Sequence, residues 1–71
     1  MKEFELKDNK KIIDKVDNQV LEILQFGDYW YLTSAKSMWN INQFNPEDFE
    51  EYFGDKQVGE YDLDYLNGKV V

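Results

Sequence analysis

The clearest hydrophobic pattern in this chain lies at Glu60-Tyr61-Asp62-Leu63-Asp64-Tyr65. Tyr61, Leu63 and Tyr65 alternate with three acids, which predicts a strand with one apolar and one acidic face. A second pattern has a helical period: Phe49, Tyr52 and Phe53 fall at i, i+3 and i+4, on one face of a helix. The punctuation agrees. Asn45 suits an N-cap, Pro46 the first helical position, and Glu47 and Asp48 the first turn, where the helix dipole favours negative charge. Gly54 can take the left-handed conformation that ends a helix. The spacing predicts a helix over about 46–53.

Upstream, Tyr29-Trp30-Tyr31-Leu32-Thr33 is aromatic and β-branched and reads as a strand. Gly27-Asp28 joins it to Val20–Phe26 as a tight hairpin. Residues 9–26 also fit a helical spacing through Ile12, Ile13, Val16, Val20, Ile23 and Leu24. The turn signal at Asp17-Asn18 favours a break there, which leaves residues 9–16 as either helix or strand. Phe4 and Leu6 alternate with charged residues and suggest a short strand over 3–7. Residues 35–44 have weak periodicity and read as a packed connection. Asn67-Gly68 is a turn signal with three residues after it.

The expected architecture is therefore α+β: a small antiparallel sheet in strand-strand-helix-strand order, with one helix packed on it. Residues 1–71 form a single domain. Residues 1–18 read as a charge-balanced N-terminal extension and 19–71 as the acidic unit. So small a chain buries a modest core, and large rings (five Phe, five Tyr and two Trp) or dimerisation can compensate.

Charge changes the picture. The net charge is −7. Five lysines and five acids cancel over residues 1–18, whereas residues 47–64 hold eight acids against Lys56 alone. That block repels nucleic acid and membrane surfaces and attracts basic partners, unless it serves only as a solvated face. No apolar run is long enough to span a membrane, no signal peptide is visible and there is no Cys, so a cytoplasmic location is expected.

Candidate chemistry is sparse. The chain has no His, Cys or Arg, which removes the commonest general base, the thiol nucleophile and the anion clamp. No phosphate-binding glycine loop is present. Asp62 and Asp64 lack the other ligands of a calcium loop. Neither catalysis, a metal nor a cofactor is expected, and direct nucleic-acid binding is opposed by the charge. Protein binding remains. On an extended strand Glu60, Asp62 and Asp64 would stand about 6.6 Å apart, comparable to a row of phosphates.

The segment Asp48-Phe49-Glu50-Glu51-Tyr52-Phe53-Gly54-Asp55, after an aromatic hairpin and before an alternating strand, resembles small phage inhibitors of uracil-DNA glycosylase that act as DNA mimics. The resemblance covers roughly residues 20–71. It implies a homodimer in which helix aromatics form a pocket for a leucine of the enzyme and flanking acids imitate phosphates. Phe49 matches the motif Phe, Glu50 the Glu after it, and Phe53 an aromatic that is Tyr in the family. Residues 29–32 lack the family's strand Glu, the 34–44 loop is longer, and residues 1–18 have no counterpart. On this reading Phe49 and Phe53 form the pocket, with Tyr52 beside them. Glu47, Asp48, Glu50, Glu51, Glu60, Asp62 and Asp64 face a basic DNA-processing partner. Other targets in the same style are a restriction enzyme, a CRISPR effector or a nucleoid protein. A different class is an acidic immunity or accessory protein.

Overall fold

The computed structural model describes residues 6–65. These form one five-stranded antiparallel sheet: β1 Lys10–Asp14, β2 Val20–Phe26, β3 Tyr29–Thr33, β4 Met38–Asn40 and β5 Phe49–Glu51, in the spatial order β4-β3-β2-β1-β5. The expected α+β layout is overturned: among the described residues the helical elements beside the sheet are single 3-10 turns at Ile41–Gln43 and Pro46–Asp48.

The hairpin forms as expected. Gly27 takes φ +62°, the conformation that the first position of a II′ turn requires, and sets Phe26 opposite Tyr29. Lys10–Asp14, which the sequence left open, is a strand. It lies inside the sheet between β2 and β5. The suggested strand at 3–7 falls mostly outside the described residues, as does the turn at Asn67-Gly68; Leu6 and Lys7 are not in a strand.

The predicted helix over 46–53 is the main correction. Its start is as expected: the Asn45 side chain accepts from the Glu47 N–H at 3.0 Å, and Pro46 opens the turn. After one turn Phe49 becomes extended, at φ −130° and ψ 158°, and the chain pairs with β1. A helix of about eight residues is marginal alone. The free edge of β1 supplies the competing ladder, including Lys15 N–H to the Asp48 carbonyl at 2.9 Å and Tyr52 N–H to the Lys11 carbonyl at 3.0 Å. Phe49, Tyr52 and Phe53 therefore share no face.

The predicted strand at 60–65 is also absent. Tyr61 makes one bridge to Gln19, and the chain then turns against residues 18–20. Asp62 N–H donates to the Asn18 carbonyl, and the Asn18 amide donates to the carbonyls of Asp62 and Leu63. The alternation is real, but β1 and β2 already have neighbours on both sides, so it finds no long edge to pair with.

Consecutive residues are buried in β1 (Ile12, Ile13) and β2 (Val20, Leu21), so both faces of the sheet are covered there. One face holds Ile12, Leu21, Ile23, Leu32 and Phe49, with Trp30, Ile41 and Phe44 packed against them. The other holds Ile13, Val20 and Tyr52 under Tyr65. On the first face Trp39 meets Phe44 and Phe44 meets Phe49, each at 5.9 Å between ring centres in edge contact. This chain of rings joins β4 to β5, the two outer strands. A flat sheet would hold those strands about 19 Å apart. The sheet therefore curls around its first face.

Gly59 closes the covering segment. Its φ is +93°, and a Cβ there would lie 2.5 Å from the Ala35 Cβ. Gly59→Ala is expected to destabilise by roughly 1–3 kcal/mol through backbone strain alone, measured by urea unfolding.

Candidate functional site

Three segments bring carboxylates to one end of the sheet. The first is the β1–β2 turn, with Asp14 and Asp17. The second is the 3-10 turn with Glu47 and Asp48, placed by the Asp14–Phe49 register and the Lys15–Asp48 backbone bond. The third is the run Glu60–Asp64. It is held by Val20 N–H to the Glu60 carbonyl at 2.8 Å and by Asp62 N–H to the Asn18 carbonyl at 2.9 Å. Among the described residues Lys15 and Lys36, the latter in the β3–β4 turn, are the lysines at this end. Glu47, Asp48, Glu60 and Asp64 are all exposed. Val16, Tyr61 and Leu63 stand exposed among them. Among the described residues no group of three or more carboxylates is placed to hold a metal ion, so this end is a distributed field, not a chelate.

The phosphate-like row is not formed. Glu60 accepts from the Gln57 N–H at 3.1 Å. Asp62 is half-buried and accepts from the Tyr52 hydroxyl at 2.7 Å. Tyr61 and Leu63, expected to face inward, are open to solvent. The remaining two acids lie within β5. Glu50 is half-buried opposite Ile13, and Glu51 is ion-paired with Lys10.

The three aromatics separate. Phe49 is 4% exposed on the first face, and Tyr52 is buried on the second. Phe53 is 76% exposed, at the other end of the sheet from the acidic cluster, beside Lys7, Asp8, Lys10, Lys11 and Glu51. Phe49 does line an apolar groove of about 340 Å³, with Leu6, Ile12, Leu32, Ile41, Asn42, Phe44 and Pro46. Pro46 and Phe49 bracket Glu47 and Asp48, so two carboxylates stand next to the groove.

Tyr52 locks the acidic run to the sheet. Its hydroxyl donates to Asp62 and accepts the Lys56 N–H at 3.0 Å. Its ring lies 4.7 Å from that of Tyr65, whose own hydroxyl accepts the Phe53 N–H. Gly54, expected to stop a helix, instead leaves room for this ring: a Cβ there would meet the Tyr52 hydroxyl. Burial, and then the bond to Asp62, push the Tyr52 hydroxyl up to about 12. Its folded value thus lies above the ordinary value of 10. The stabilisation is fully present below pH 10 and is lost as pH rises from about 10 to 12. An ultraviolet titration should show one late tyrosine. Tyr52→Phe should abolish it, and Asp62→Asn should bring it earlier.

Asp14, Asp17 and Val16 belong to this end but were not among the candidates. They sit in the stretch whose charges cancel along the chain, and only the folded path separates the acids from Lys7, Lys10 and Lys11. The Asp17-Asn18 turn signal was the one local hint.

No protein-family model, no curated protein and no solved structure matches this chain. Among the described residues no helix is long and apolar enough to cross a membrane.

Proposed function

We propose that this chain acts by binding: its acidic end docks on a basic protein surface that otherwise holds nucleic acid. The observation that carries this reading is the gathering, among the described residues, of seven carboxylates from three segments at one end, against two lysines. Apolar Val16, Tyr61 and Leu63 lie among those charges. Such a field raises the rate of encounter with a basic groove and sets orientation, while uncovered apolar side chains add contact area. The groove walled by Phe49 is ample for one inserted side chain, at the low end of small-ligand volumes. The other end of the sheet carries Lys7, Lys10 and Lys11 together with Asp8 and Glu51, so the excess negative charge is gathered at the acidic end.

Within this reading the chain is an inhibitor that mimics DNA, and uracil-DNA glycosylase, the target implied by the sequence resemblance, is the first candidate partner. The mimicry rests on a clustered field and not on a strand of evenly spaced acids. The experiment is a uracil-excision assay with the purified protein added at near-stoichiometric ratios. Inhibition that weakens with added salt supports the proposal, and full activity at every ratio removes this target.

A further inference from the structure

The apolar groove of about 340 Å³ on the first face is rimmed by half-open side chains. Ile12, Leu32 and Phe49 in it are buried, whereas Ile41, Phe44 and Pro46 are half-buried and Leu6 is 42% exposed. Filling the groove would take more of that apolar surface out of water. The chain is delivered to it at a fixed point. Asp8 accepts the Gln25 N–H at 2.9 Å, and the Asn9 N–H donates to the Ile23 carbonyl at 2.8 Å. Residues 8 and 9 are thus tied to β2, and Leu6, just before them, lines the groove. Phe4 stands two positions earlier, outside the described residues. Glu3, Glu5 and Lys7 alternate with Phe4 and Leu6. In an extended chain Phe4 and Leu6 fall on one side, about 6.6 Å apart, and the three charges fall on the other.

We infer that the chain fills this groove with its own Phe4, and that residues 3–5 form a strap across the first face. The chemistry of the two sides matches. Among the described residues the groove lining holds one polar side chain, Asn42, and no charge. A phenyl ring placed there extends the Trp39–Phe44–Phe49 run of edge contacts. Glu3 and Glu5 then stay in water. A slip of one residue would instead press their carboxylates against Ile12 and Phe49 without a partner, which is costly and fixes the side that faces inward. The placement does not depend on the acidic end having a partner. It does make the groove a site that a docking protein reaches by displacing Phe4.

Proton NMR of the full chain, joined to urea unfolding of three variants, tests this. In the wild type the Phe4 ring should show nuclear Overhauser contacts to the methyl groups of Ile12, Leu32 or Ile41. Phe4→Ala should raise the unfolding equilibrium constant by about 10- to 100-fold, the effect of uncovering one buried apolar side chain. Phe4→Leu should recover most of that loss, and Glu5→Gln should change the constant by no more than about two- to threefold. A wild-type Phe4 ring with no contact to these methyls overturns the inference, as does a Phe4→Ala chain as stable as the wild type.

Discussion

Replacing Phe49 by alanine is expected to remove about 3–5 kcal/mol of folding stability. Phe49 is buried against Ile12, Leu21, Ile23 and Leu32, and it is the last ring in the Trp39–Phe44–Phe49 chain that holds the sheet curled. At roughly 0.05–0.15 kcal/mol per residue, a domain of this size has about 4–11 kcal/mol in total. The loss would consume about half of that at mid-range. Phe53→Ala, by contrast, should change stability by less than about 0.5 kcal/mol, because its ring is already in solvent. Urea unfolding of both variants measures the contrast. Equal stability losses would show that Phe53 is held in a core that these packing relations do not describe. A Phe49→Ala chain as stable as wild type would mean that the ring belongs to a docking surface and not to the fold.

The second large effect concerns charge. Neutralising Asp17, Glu47, Asp48, Glu60 and Asp64 together to their amides should slow association with a basic partner by about 10- to 1,000-fold at low salt. It should change dissociation less. All five are exposed at the acidic end. Asp62 is left intact because it holds Tyr52, and Glu51 because it is paired with Lys10. Stopped-flow association at two salt concentrations separates the terms. If the five acids steer encounter, the wild-type rate should fall with salt and the variant rate should hardly move. A variant that retains the wild-type rate at low salt would assign these acids to solubility alone.

How much of this was legible along the chain depends on whether local pattern and tertiary partner agree. The β2–β3 hairpin was readable because Gly27-Asp28 and the strand composition of Tyr29–Thr33 specify it without help from elsewhere. Residues 46–53 were misread for a physical reason. Phe49, Tyr52 and Phe53 fit a helical face, yet a strand also accommodates them, with Phe49 on one face of the sheet and Tyr52 on the other. The free edge of β1 decided between the two, and an edge is a property of the assembled sheet. Tyr61, Leu63 and Tyr65 failed in the opposite way. Their alternation is faultless, but the edges left open belong to the three-residue strands β4 and β5, and of the three residues Tyr65 alone turned inward. The acidic end was half legible. The block at 47–64 was visible as a run of charge. Asp14 and Asp17 were hidden by five neighbouring lysines in sequence, of which Lys7, Lys10 and Lys11 lie toward the other end of the folded sheet.

Competition by the acidic end for a nucleic-acid-binding surface would be seen on titrating the protein into a uracil-excision reaction. Wild type and the five-amide variant would be run side by side at low and moderate salt. Wild type is expected to inhibit near one equivalent at low salt and less with added salt, and the variant to inhibit little at either. Undiminished excision in the presence of excess wild-type protein, or equal inhibition by the two chains, would contradict it.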